Sequence, residues 1–157
     1  MDQRQDLADI ARGIIDSNMY MVLGTADETG RPWVSPVYYA SAGHKEFFWV
    51  SSPEATHSRN VARRPEVSIV VFDSQVPIGT GQGVYMTAVT EEMTGAGLDR
   101  GIDIFSRMSQ AHGGSPWTQQ DVLPPAPYRL YRATASEHSV LDPDSHPNRR
   151  TRVTLEG

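Results

Sequence analysis

The spacing of hydrophobic positions changes several times along the chain, and each change marks an element. Leu7, Ile10, Ala11, Ile14 and Ile15 recur at the i, i+3, i+4, i+7 spacing that lines one face of an amphipathic helix. Asp16-Ser17-Asn18 ends it. From Met19 the pattern becomes that of a strand, Met19 to Ala26, closed by Asp27-Glu28-Thr29-Gly30, a turn with glycine where positive φ is cheap. Trp33 to Ala40 reads as a second strand. Pro36 within it has no N–H to donate, so this strand carries a bulge or lies on an edge. Ala42-Gly43-His44 makes the next turn and Lys45 to Ser51 returns, completing an antiparallel meander.

A punctuated helix follows. Ser52 suits the N-cap, Pro53 the first helical position and Glu54 the positive end of the dipole, while Pro65 stops the helix after Arg63 or Arg64. Val67 to Phe72 is a buried strand, Asp73 to Gly81 a loop, and Gly83 to Glu91 another strand. Leu98, Ile102, Phe105 and Met108 predict a helix from Gly97 to Gln110, halted by Gly113-Gly114-Ser115-Pro116. The stretch through Pro124-Pro125-Ala126-Pro127 is too proline-rich for regular structure and reads as a surface loop. A long strand from Tyr128 to Val140, a Pro/Asp/Asn-rich turn and a short strand near Arg152 to Leu155 complete the chain. Strands in meander order with helices inserted predict a mainly β fold: a six- to seven-stranded antiparallel barrel with flanking helices, one domain over residues 1–157. A doubly wound parallel sheet would need a helix after nearly every strand.

Composition narrows the function. A chain of 157 residues, 38% hydrophobic, has room for one core. It has no cysteine, which excludes disulfides, thiolate nucleophiles and cysteine metal sites together. The net charge of −5 argues against a nucleic-acid partner, and no apolar run approaches the roughly 20 residues that cross a bilayer. The N-terminus lacks a basic start and apolar stretch, so a cytoplasmic location is expected. The histidines at 44, 57, 112, 138 and 146 have no metal-ligand spacing, so no metal site is expected. Gly79-Thr80-Gly81-Gln82-Gly83 lacks the lysine of a phosphate loop and reads as a flexible hairpin. Arg149, Arg150 and Arg152 suit a solvated face or a subunit contact.

The segment Ser51 to Asn60 gathers hydroxyls, an imidazole, a guanidinium and an amide around one helix start. Free backbone N–H groups there favour an anion, with Thr56, His57 and Ser58 as added donors and Arg59 as added charge. An ordinary capped helix with a polar solvent face fits the same residues.

Three stretches, Gly30 to Tyr38, Phe48 to Ser51 and His57 to Val67, together with the strand order around them, resemble the pyridoxamine-phosphate-oxidase-like split-barrel family. The likeness is good over about residues 15 to 95 and looser beyond. It implies an FMN-binding split β-barrel that works as a homodimer, with two equivalent cofactor sites at the interface. It assigns Ser35, Pro36, Val37 and Tyr38 to the flavin, Val50, Ser51, His57 and Ser58 to the ribityl chain and phosphate, and Gln82 to a further flavin contact. Arg59 could add charge at the phosphate, and Trp117 is a weaker candidate for the aromatic residue that a partner subunit contributes. Thr56-His57 stands where the family carries an Arg-Lys pair, which weakens the phosphate grip or makes it pH-dependent and argues against a true pyridoxamine-phosphate oxidase.

The function this implies is FMN-dependent oxidoreduction, with hydride passing to or from a small organic substrate. An F420-dependent reductase on the same fold and a non-enzymatic flavin carrier or sensor are the alternatives. No side chain stands out as an obligatory acid or base, although Tyr38, Tyr85 and His112 are available donors.

Overall fold

The computed structural model describes residues 3–142 and 149–155. The Pro/Asp/Asn-rich turn expected before the last strand, with His146, lies outside the described residues from 143 to 148. Helix α1 (Gln3–Ser17) leads into strands β1 (Tyr20–Ala26), β2 (Pro32–Tyr38), β3 (Ala40–Ala42) and β4 (Glu46–Ser51). Helix α2 (Thr56–Arg63) follows, then β5 (Glu66–Phe72), β6 (Gly83–Glu92), α3 (Leu98–Ala111), a 3-10 turn at Gln119–Val122, β7 (Arg129–Asp142) and β8 (Arg149–Val153).

All pairings are antiparallel, in the order β2-β1-β5-β6-β7-β4-β3, with β8 added to the C-terminal half of β7. The curled path of seven strands with flanking helices is the split barrel that the sequence predicts. A register shift between Thr87 and Ala88 bends β6 against β7 where the sheet curls.

The expected second strand is broken in two. Tyr39 turns inward between β2 and β3, its amide bonded to Met19 O and its hydroxyl donating to Ile15 O at 2.6 Å. One chain segment thereby leaves one end of the sheet and joins the other, which closes the barrel. Pro36 sits on β2 at the end of the strand order, the edge position its missing donor requires.

The main core fills the barrel with Met21, Leu23, Phe47, Trp49, Ile69, Val71, Met86 and Tyr131, against which α1 buries Leu7, Ala11 and Ile15. A second cluster lies outside β3 and β4. There α3 packs Leu98, Ile102 and Phe105 on Phe48 and Leu130. Gly101 permits that approach, because a Cβ there would stand 3.0 Å from both Leu130 and Phe48.

Two local expectations need correction. Helix α2 begins at Thr56, not Ser52, with Ala55 at the N-cap and no side-chain cap. The Ser52 hydroxyl instead accepts from Glu54 N at 3.1 Å in a turn before the helix. The proline-rich loop contains a 3-10 turn closed by a Thr118–Asp121 capping box, a signal independent of its prolines. No helix among the described residues is long and apolar enough to cross a membrane.

Candidate functional site

The site begins with two strand edges that lack partners. Strand β2 pairs along its whole length with β1 and with no other described strand. On its outer edge β4 pairs with β3 only from Glu46 to Phe48, so Trp49, Val50 and Ser51 have no partner there. β2 and β4 still approach each other. The space between these two edges, the gap, is bordered by those backbone N–H and C=O groups of each strand that point away from its paired neighbour. Such groups are strong donors and acceptors that require partners when covered. Ser35, Pro36, Val37 and Tyr38 lie on one wall and Val50 and Ser51 on the other.

Helix α2 stands at one end of the gap, packed on β1 and β2. A buried polar chain ties it there. Asn60 Nδ2 donates to Thr25 Oγ1 at 3.0 Å, and Thr25 Oγ1 donates to Trp33 O at 3.3 Å. On the same strand Trp33 Nε1 donates to Ser35 Oγ at 3.1 Å. The first turn of α2 brings His57 Nε2 to 2.9 Å from Ser51 Oγ. His57 is half-buried, and burial lowers its pKa below the ordinary 6.5, so the ring is neutral at pH 7.

The cations of α2 are matched, whereas Arg129, in register with Ser51 across β4 and β7, donates to the carbonyls of Ala126 and Tyr128. Arg59 pairs with Glu54 at 2.7 Å, with both side chains mostly exposed. Arg63 pairs with Glu28 at 3.1 Å, and Arg64 donates to Glu28 O at the same distance. Ser58 is buried at 2% exposure, and its hydroxyl has no hydrogen-bond partner of ordinary geometry. It lies near enough to the Tyr131 phenol to offset part of the burial that raises that phenol's pKa. The donors contributed by Ser51 and by α2 are thus neutral, with the Arg129 guanidinium on the strand beside them.

The other end of the gap is aromatic. Tyr38, Val50 and Trp117 all pack against the α3 cluster, so the structure brings these three predicted residues together. The Tyr38 ring meets Phe105 edge-on at 5.7 Å, and Phe105 meets Trp117 at 5.8 Å. Tyr38 Oη lies 2.6 Å from Nδ1 of His112, the C-cap residue of α3.

Gln82 is not gathered with these residues. Its amide spans the backbone of Leu141, donating to the carbonyl at 2.7 Å and accepting from the N–H at 3.0 Å. It precedes the end of β6 that pairs with Phe72, whereas α2 enters beside Val89, which pairs with Glu66. At about 3.3 Å per residue these levels are about 23 Å apart along the strand. Sequence reasoning overlooked the Asn60–Thr25 tie. Its one signal was an amide beside Val61, on the helix face that turns to the sheet.

A family model described as pyridoxamine 5'-phosphate oxidase matches residues 7–140. The chain belongs to that family. Comparison with curated proteins found no match. Among solved structures, the chain is similar to a heme binding protein from Mycobacterium smegmatis, at 21% identity and a TM-score of 0.73. That alignment covers 94% of this chain but only 57% of the other, so this chain spans little more than half its relative's length. HutZ, the heme storage protein from Vibrio cholerae, aligns at 19% identity and a TM-score of 0.64, covering 83% of this chain and 90% of that one. A structure described as an F420 reductase aligns at 16% identity and a TM-score of 0.61, covering 82% and 95%. At these identities the likeness is one of fold, and the proteins that share it are described in different terms.

Proposed function

We propose that this member of the pyridoxamine 5'-phosphate oxidase family binds FMN non-covalently in the gap between β2 and β4 and is a flavin-dependent oxidoreductase acting on a small organic molecule. The observation that carries the reading is the pair of unpaired edges. A flavin ring carries hydrogen-bonding atoms along its pyrimidine side, and the backbone groups of β2 and of Val50 and Ser51 that point away from their paired strands offer neutral partners to such a ring. Ser51 and His57 lie at the α2 end, where a phosphate would sit, with the Ser58 hydroxyl buried near the Tyr131 phenol. Bound flavin would supply the two-electron chemistry, while the chain orients the ring, excludes water and places donors.

Oligomerisation belongs to the same reading. The outer face of β2-β1-β5-β6 leaves Val34 and Val89 each more than half exposed, beside a groove of about 560 Å³ that Ser68 and Thr87 also line. A broad concave face with exposed valines among small polar residues suits a second copy of the chain.

The deazaflavin F420 is the second reading. The likeness in fold to a structure described as an F420 reductase supports it. Titration of the purified protein with each cofactor, followed by absorbance, separates the two. Bound FMN absorbs near about 450 nm and the deazaflavin at shorter wavelength. FMN alone saturating the protein supports the first reading, F420 alone supports the second, and binding of neither removes both.

A further inference from the structure

The outer face of the sheet changes character at its β8 end. Strands β5, β6, β7 and β8 run side by side there, with Val70, Tyr85, Ser139 and Arg152 opposite one another in a single row. Two hollows meet at Tyr85. One, of about 360 Å³, is polar and is lined by Tyr85, Thr87, Glu137, Ser139, Arg150 and Arg152. The other, of about 380 Å³, has Val70, Phe72, Gly83 and Leu141 in its walls and Asp73 and Gln82 beside them. Both fall within the roughly 300–1,000 Å³ of small-molecule sites.

Arg150 is held in place in the polar hollow. Its guanidinium lies over the Tyr85 ring at 4.2 Å, and its Nε donates to Ser139 Oγ at 3.1 Å. Stacking and the Nε bond fix the plane of the group and leave its two terminal nitrogens as the free edge of the fork. Arg152 is paired with Glu137, whereas Arg150 makes no ion pair with a described carboxylate. An arginine has no acceptor, so Ser139 Oγ accepts from it and keeps its own hydrogen to donate. Arg150 and Arg152 outnumber Glu137, so the hollow is locally positive in a chain of net charge −5.

We infer that the joined hollows bind a small organic carboxylate, its charged end on the Arg150 fork and the Ser139 hydroxyl and its apolar body against Val70, Phe72 and Leu141. The inference goes beyond the flavin reading and does not depend on it. A planar carboxylate matches the two parallel N–H groups at the edge of a guanidinium. Glu137 lines the same hollow and opposes a second negative charge, so a monoanion is preferred to a phosphate dianion. Glycine at 83 leaves room for the apolar body, because a Cβ there would stand 3.5 Å from Val70 Cγ2 and 3.7 Å from Phe72 Cβ. The remaining polar groups of the apolar hollow are engaged. Asp73 accepts from Gln75 N at 2.9 Å, and the Gln82 amide is spent on the Leu141 backbone. With the Asp73 carboxylate in one hollow and the Arg150 guanidinium in the other, an anionic ligand has a single favoured orientation.

Phenylacetate carries both the charge and the ring and serves as the probe. In an NMR titration of the purified full chain it should shift the amides of Ser139, Arg150, Val70 and Gly83 saturably. Phenylacetamide, its neutral isostere, and acetate, which lacks the ring, should each bind at least about tenfold more weakly. Arg150→Gln on the exposed strand should weaken phenylacetate about tenfold or more, and Arg150→Lys should not restore it, since an ammonium lacks the fork. Phe72→Ser should weaken phenylacetate and leave acetate unchanged. Phenylacetate that moves none of these amides overturns the inference. So does equal affinity for phenylacetamide, or an Arg150→Gln protein that binds phenylacetate as well as the unsubstituted chain does. Tighter binding of inorganic phosphate than of phenylacetate overturns the assignment to a carboxylate.

Discussion

Ser51 and His57 face each other at 2.9 Å across the turn that joins β4 to α2, and this contact sets the electrostatic character of the site. An arginine or lysine here would hold a phosphate by charge at any physiological pH. A half-buried imidazole with a lowered pKa holds it by hydrogen bonding alone until the solution is acid enough to protonate the ring. FMN affinity should therefore rise as pH falls through the His57 titration, while riboflavin, which lacks the phosphate, should show no such rise. His57→Ala should weaken FMN about tenfold, in line with a hydrogen bond to a charged group, and His57→Lys should tighten it. Fluorescence titration from pH 8 to pH 6 measures this. Unchanged FMN affinity in His57→Ala across that range removes His57 from the phosphate.

The same histidine bears on stability. Burial lowers the pKa of His57 and of His138, which lies 2.7 Å from His44 O. Below the ordinary value of 6.5 the unfolded chain binds more protons at these positions than the native one. Stability is then complete above that value and declines as pH drops through it. Glu46, lowered chiefly by its hydrogen bond to Arg100, adds stability that is lost as pH falls through the region below 4.5. Urea midpoints should thus fall in two steps on acidification. His138→Gln should reduce the first step, and a flat midpoint between pH 8 and pH 5.5 would contradict the assignment.

Packing of α3 on the barrel makes a separate prediction. A methyl at Gly101 has no room against Leu130 and Phe48. Gly101→Ala should destabilise the protein by about 1–3 kcal/mol through overpacking, whereas Gly13→Ala on α1, where nothing lies within 4 Å, should not destabilise. Thermal denaturation of the two variants checks the contrast.

Much of the fold was legible because its signals are local. Asp27 anchors the first hairpin by accepting from the amides of Thr29 and Arg31, with Gly30 at φ 91°, as the Asp-Glu-Thr-Gly sequence implies. Pro65 ends α2, and the spacing of Leu98, Ile102 and Phe105 places α3 almost to the residue. The break at Tyr39 was not legible, because its cause is the distant Ile15 carbonyl and Phe47 ring. The start of α2 was misplaced because Ser52 and Pro53 signal a cap equally well for a turn that precedes a helix. The gap itself is a property of register. That Val50 and Ser51 lack partners on one edge depends on how far β3 extends, and no window of sequence around them reports it.

The exposed face makes a further prediction. A charge on it should oppose the association of two copies without disturbing a core residue, since Val34 is 67% and Val89 51% exposed. Val34→Glu should leave folding intact and shift the protein toward monomer in sedimentation, with FMN affinity falling alongside. A wild-type protein that is monomeric at micromolar concentration contradicts the homodimer.

The central claim is the placement of the cofactor between β2 and β4, and mapping backbone amide shifts by NMR during FMN titration tests it most directly. The account predicts saturable shifts at Ser35, Val37, Tyr38, Val50, Ser51 and His57. Binding that leaves those amides unmoved, with its largest shifts on other strands, would contradict it.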